Sequence, residues 1–150
     1  MRNLALAVCM AVVACSPSEK GEGAEGSLTF EERTWGKPTE RITISEEGRL
    51  KHEVWNPTEL KSEKSFDLTA AQHQKAINLL VDLRSRSGSS ISCNNRVTDG
   101  PYASIVWDEV ETLHIYLPCL SNPELASSEA ALLSFREYVS EIQSSSQGDM

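Results

Sequence analysis

The chain has 150 residues, the size of one domain, with 39% hydrophobic and 24% charged residues, ordinary values for a globular protein. Its 22 acidic residues against 14 basic ones give a formal charge of −8, which argues against a nucleic-acid binder that must meet phosphates with clustered Lys and Arg. No apolar run reaches the ~18 residues that a spanning helix needs.

The first element is an address. Arg2 precedes an apolar stretch from Leu4 to Ala14, a short positive region followed by a hydrophobic region of 11 residues, too short for a permanent membrane helix. The stretch closes on Val12-Val13-Ala14-Cys15 and turns polar at once with Ser16-Pro17-Ser18-Glu19-Lys20. This junction resembles the lipobox of bacterial lipoproteins, in which an aliphatic residue and two small residues lead to a Cys. The small side chains let a peptidase approach the backbone, and the thiol is the nucleophile that takes the lipid. The resemblance implies that residues 1–14 are removed and that Cys15 carries the lipid. Two or three acyl chains, at ~0.8 kcal/mol per buried methylene, make an effectively permanent anchor. Ser16 stands where an Asp retains such proteins in the inner membrane, so the resemblance implies the inner leaflet of the outer membrane, facing the periplasm. An ordinary secretory cut after Ala14 is the alternative, since Val12 and Ala14 suit that peptidase as well.

Residues 15–27 form a tether after the lipidated Cys. Ser16–Ser27 is rich in Gly, Ser and Glu, has no large apolar residue, and is expected to stay disordered. Such a segment spans roughly 20 Å, at ~5–6 Å times the square root of its length. Loss of residues 1–14 removes Arg2 and no acid, which leaves 13 basic and 22 acidic residues and a net −9. An anionic lipid surface repels such a domain, so the membrane partner is reached through the lipid and not through charge.

Residues 28–143 read as a single domain. Leu28–Trp35 and Arg41–Ser45 are expected strands with a turn at Gly36-Lys37-Pro38. After the turn Glu46-Glu47-Gly48, Arg49–Trp55 alternates: Leu50, His52 and Val54 on one face, Lys51, Glu53 and Trp55 on the other. Leu60–Phe66 suits a polar edge strand. Thr69-Ala70-Ala71-Gln72 fits a capping box that opens a helix, with Ala76, Ile77, Leu79, Leu80 and Leu83 as its apolar stripe and Gly88 as its end. Tyr102–Trp107 and Thr112–Leu117 flank Asp108-Glu109-Val110-Glu111 as a second hairpin. A second helix is expected over Ser128–Gln143, with Leu132, Phe135, Val139 and Ile142 on one stripe, and residues 144–150 form a polar tail. The order strands, helix, strands, helix predicts an α+β domain: an antiparallel sheet of five to six strands with two helices on one face.

Of four Cys, Cys9 lies in the signal and Cys15 at the lipid site, which leaves Cys93 and Cys119. In an exported domain this pair is expected to form one disulfide clamping the base of the second hairpin. No second ligand stands at metal spacing from either thiol, and no metal or other cofactor is expected.

The sequence carries no G-x-S-x-G, P-loop, G-x-G-x-x-G or H-E-x-x-H motif. His52, His73 and His114 are scattered, and no nucleophile stands out, so no catalytic residue is assigned. The segment Asn94–Tyr102 has strong turn chemistry at Asp99-Gly100-Pro101. It either simply reverses the chain, the reading its turn residues favour, or serves as a disulfide-pinned recognition loop with Arg96, Asp99 and Tyr102 as contacts. Asp99-Gly100-Pro101-Tyr102 is loosely similar to the Ser-Gly-x-x-Tyr loop of periplasmic lysozyme inhibitors of the lipoprotein type. It lacks the Ser and the spacing, and two helices do not suit that all-β fold, so membership is not expected. Trp35, Trp55 and Trp107 fall on expected strands, with packing the role foreseen for at least two of them.

Together these features predict a lipid-anchored envelope lipoprotein whose small domain binds a protein or envelope component without catalysis, as an inhibitor or immunity protein does. A small envelope hydrolase with a dispersed active site is the alternative.

Overall fold

A computed structural model describes residues 26–93 and 100–146. The signal, Cys15, most of the tether, and the loop residues Arg96 and Asp99 lie outside the described residues.

Four strands follow in a meander: β1 (Leu28–Thr34), β2 (Lys37–Ile44), β3 (Arg49–Asn56) and β4 (Glu59–Asp67). Two helical segments come next, α1 (Ala70–Asn78) and α2 (Val81–Arg84), then β5 (Ser90–Ile91), β6 (Tyr102–Trp107) and β7 (Glu111–Tyr116), and α3 (Ala126–Ser145) after two 3-10 turns. The sheet has seven strands in the order β4-β3-β2-β1-β6-β7-β5. Its pairs are antiparallel except β5 with β7, which run parallel.

The α+β class holds, but the sheet is larger and mixed. The added strand β5 is two residues long and sits in a Ser-rich run. Two residues carry no period, and only tertiary pairing of Ser90 with His114 and Ile91 with Ile115 defines them. The first expected helix is also two: the backbone breaks at Leu80 (φ −113°). Leu80 and Leu83 still reach the core, because an apolar stripe records which side chains are buried, not whether the backbone between them is continuous. The capping box is formed, with Gln72 N donating to Thr69 Oγ1 at 3.2 Å and Thr69 N donating to Gln72 Oε1 at 2.9 Å.

The first hairpin turn also differs. It falls on Trp35-Gly36, not on Gly36-Lys37-Pro38, and Thr34 pairs directly with Lys37. Both central residues have positive φ (56° and 74°), the mark of the type I′ turn that matches strand twist. Pro38 is therefore inside β2, where it faces Arg33 at a bulge and lies beyond the β2–β3 ladder that starts at Glu40, so its missing N–H costs no bond. In the second hairpin Trp107 pairs with Glu111, giving a three-residue loop where four were expected.

Period-two alternation places Leu28, Phe30, Ile42, Ile44, Leu50, Ile105, Trp107, Leu113 and Ile115 on one face. With Ile77, Leu80 and Leu83 from the first helical pair and Leu132, Phe135, Val139 and Ile142 from α3, they make one hydrophobic cluster. Phe135 meets Phe30 with ring centroids 6.1 Å apart, in a tilted arrangement favoured by aromatic pairs. Trp107 is part of this core, and its indole N–H is buried with no partner among the described residues.

Candidate binding face

Among the described residues no helix covers the other side of the sheet, and its side chains are the functional candidates. Across its middle, adjacent strands bring Glu31, Arg41, Glu53 and Glu63 into one row. Arg33 and Arg41 both bond the buried Glu31 carboxylate, with Arg41 Nε at 2.7 Å, and Lys51 bridges Glu53 (3.0 Å) and Glu63 (3.1 Å). Burial alone would push the Glu31 carboxyl up, but the hydrogen bonds from Arg33 and Arg41 together outweigh it and hold it below its ordinary 4.5. Lys51 thus bridges the like charges that face each other on β3 and β4, which offsets their repulsion.

The two ends of this face differ. At the end where β1 begins, a cleft of about 390 Å³ is lined by Thr29, Thr43, Glu46, Glu47, Asp108 and Glu109. The chain enters here: Ser27 N donates to Asp108 Oδ1 at 2.9 Å, and His73 Nε2 lies 3.0 Å from the Gly26 carbonyl oxygen. Asp108 also takes Arg84 at 2.7 Å. The backbone amide of Ser27 first, and Arg84 after it, hold the Asp108 carboxyl below its usual range against the effect of burial.

The opposite end is aromatic and basic. Tyr116, Tyr102, Arg33, Thr39 and Trp55 follow one another across β7, β6, β1, β2 and β3, with Arg33 opposite Tyr102 and Tyr102 opposite Tyr116. The Arg41 guanidinium sits over the Trp55 ring at 5.2 Å. Beyond it a cleft of about 370 Å³ is lined by Thr34, Trp35, Lys37, Thr39, Trp55, Asn56 and Pro57. Trp35 is 71% exposed. It also occupies the left-handed region at φ 56°, where a bulky L-residue is strained by ~1–2 kcal/mol. Trp35 thus combines a strained backbone with a ring left mostly in solvent. Replacing it by Asn gives the Asn-Gly pair that type I′ turns prefer. Trp35→Asn should therefore raise the unfolding free energy by roughly 0.5–1 kcal/mol, measured by urea denaturation. A clear loss of stability would instead make Trp35 a packing residue.

Of the contacts expected from sequence, the described residues include only Tyr102, and it lies in this aromatic band. Cys93 and Cys119 are joined, with Cα atoms 5.5 Å apart. Trp35 was missed as a contact because it reads as a strand end. The available signal was Trp-Gly between two alternating runs, which places Trp at the first central turn position.

The covered face holds one polar cluster against α3. His52 Nε2 is 2.9 Å from Glu40 Oε1, Gln143 Nε2 is 2.5 Å from His52 Nδ1, and Arg136 bonds Glu40 at 2.5 Å and lies 3.2 Å from Glu32. Gln143 thus stands at one ring nitrogen of His52 and Glu40 at the other. Both ring nitrogens are engaged, so His52 offers none to a substrate. Burial raises the Glu40 carboxyl, while His52 and Arg136 together bring it below 4.5. A carboxylate with a depressed folded pKa stabilises the fold above its unfolded value, and the contribution is lost as pH falls through the folded value. Glu31 and Glu40 should thus make the urea midpoint fall as the pH drops below about 4.5. The drop should be smaller in Glu40→Gln, and an identical slope in that variant would count against the assignment.

Among the described residues no group of three His, Cys, Asp or Glu is placed to hold a metal ion. The chain matches no protein-family model, and no curated protein matches its sequence.

Proposed function

We propose that this chain is a bacterial cell-envelope lipoprotein, anchored through Cys15 to the inner leaflet of the outer membrane. Its domain binds an envelope protein or component without catalysis, as an inhibitor or immunity protein does. The observation that carries the binding reading is Trp35, exposed and strained beside Trp55. Its placement supports the reading further. β1 rises ~3.4 Å per residue, so the turn at Trp35 stands about 20 Å from Leu28, where the tether joins. The tether joins at the acidic end, so the aromatic end lies on the far side of the domain from its attachment point.

Two measurements test this. The intact mass of the membrane-extracted protein should correspond to a chain beginning at Cys15 plus two or three acyl chains, and Cys15→Ala should abolish that species. A soluble form beginning at Cys15 without lipid would sink the anchor. A photocrosslinking residue at Lys37 should capture a partner in cells, and the capture should vanish with Trp35→Asn. A probe at Val81, on the helical side, should capture nothing in common with it.

A further inference from the structure

Resting on the reading of the open face as a binding surface, we infer that the Trp35–Trp55 cleft takes a proline-rich, extended segment of a partner protein, with an acidic residue placed to meet Lys37.

The walls are two indoles and Pro57, with Thr34 and Thr39 also in the lining. Such surfaces take flat, rigid, apolar groups. The polar groups are biased toward donors. Each indole offers only an N–H, and the Lys37 ammonium offers only donors. Among the described residues, no hydrogen bond or ion pair takes up these groups or the Asn56 amide. The Thr39 hydroxyl already gives its proton to the Glu32 carbonyl at 3.2 Å, and no carboxylate lines the cleft. Of the carboxylates on neighbouring residues of the sheet, Glu31 and Glu53 are held by Arg33, Arg41 and Lys51, while Glu59, opposite Asn56 on β4, is exposed and pairs with Lys61 at 3.3 Å.

This inventory separates the ligand classes. A sugar brings one proton with the two lone pairs of each hydroxyl, and the side chains of the cleft offer those protons only the Asn56 amide oxygen and the threonine hydroxyls. A quaternary ammonium would have to displace Arg41 from Trp55 and approach Lys37, both repulsive. An ordinary extended peptide brings an N–H at every residue, again short of acceptors. A proline-rich segment brings a carbonyl at every residue and almost no N–H. It is already extended, so little entropy is lost on docking, and its rings pack on aromatic side chains. Among the described residues Lys37 is the one charged residue lining the cleft, so an acidic residue in the segment completes the match. The aromatic band from Trp55 to Tyr116 crosses five adjacent strands. At ~4.8 Å per strand that is about 19 Å, or about six residues of polyproline helix at 3.1 Å each.

The test is a titration of the full chain, purified in detergent, followed by tryptophan emission. The probes are acetylated, amidated decaproline, the same peptide with one central Glu, and chitohexaose as a glycan. Expected is a saturable emission change with both peptides, with the Glu peptide binding severalfold tighter. Trp35→Asn should weaken both peptides at least tenfold while leaving the circular dichroism unchanged. Lys37→Met should remove the advantage of the Glu peptide and spare decaproline, and raised salt should do the same. A Trp35-dependent response to chitohexaose and none to the peptides would overturn the ligand class and leave the binding face standing. No response to any probe, together with no Trp35-dependent crosslink at position 37, would overturn both. Peptide binding that survives Trp35→Asn would place the site elsewhere and overturn the inference.

Discussion

Removing the Cys93–Cys119 bridge by Cys93→Ala with Cys119→Ala is expected to lower the unfolding free energy by about 3–4 kcal/mol. The two residues are separated by 26 positions, and closing a loop of that length in the unfolded chain accounts for about 3.5 kcal/mol on the chain-entropy model. That is a large part of the ~5–15 kcal/mol available to a domain. Structure gives the loss a location. Cys93 follows β5, which is held to β7 by only two residue pairs, and Cys119 is buried in the 3-10 turn after β7. The bridge therefore spans the β6–β7 hairpin and holds the weakest edge of the sheet. Alanine is the right replacement at Cys119, because a serine would bury a hydroxyl. Urea denaturation of the variant and the parent measures the loss, and hydrogen exchange at Ile91 should rise before exchange at Phe30 does. A loss under about 1 kcal/mol, or equal exchange at both positions, would show that β5 is held by packing alone.

The second large effect is expected at Phe135. Phe135→Ala should cost about 3–5 kcal/mol, the range for deleting a fully buried aromatic ring. Phe135 is fully buried and sits on Phe30, midway along α3, so its removal opens a cavity between the helix and the centre of the sheet. Leu133, two residues earlier on the same helix, is 54% exposed, and Leu133→Ala should cost under about 0.5 kcal/mol. The contrast between these neighbours tests the orientation of α3. Comparable losses at both positions would mean that the helix is rotated from the arrangement described. Because Arg136 and Gln143 hang from the same helix, Phe135→Ala should also loosen their contacts with Glu40 and His52, and the acid sensitivity of the midpoint should shrink with it.

Much of the fold was legible where the chain repeats a period. The alternation of Leu50, His52 and Val54 against Lys51, Glu53 and Trp55 gave β3 and its two faces correctly, because a strand exposes alternate residues to different surroundings. Thr69 and Gln72 marked the start of α1, since a capping box acts within four residues of chain. Cys93 and Cys119 were paired by elimination once Cys9 and Cys15 were set aside. The errors fell where no local period exists. β5 has two residues, the break at Leu80 leaves the apolar stripe intact, and Pro38 reads as a turn residue although it stands in β2. For the first two the deciding interaction comes from a distant part of the chain, Ile115 for Ile91 and the core for Leu80, whereas Pro38 is placed by the neighbouring Trp35-Gly36 turn, which sets it opposite Arg33.

The candidate site divides in the same way. Tyr102 was singled out for its place beside turn residues, and it does stand on the open face. Trp35 and Lys37 were not singled out as contacts: Trp-Gly between two alternating runs marks a two-residue turn, but nothing in Thr34-Trp35-Gly36-Lys37 says that Trp55 lies beside it. The charged row was equally hidden: Glu31, Arg41, Glu53 and Glu63 are spread over 33 residues of chain and meet only through strand register.

Taken alone, the sequence determined composition, the elements long enough to show a period, the helix start at Thr69 and the cysteine count. These are properties that neighbouring residues establish between themselves. The tertiary structure alone decided the number and direction of strands, the sharp turn that lifts Trp35 into solvent, and the separation of an acidic end from an aromatic one. Those depend on register, and register is fixed by which face of every strand the shared core will accept.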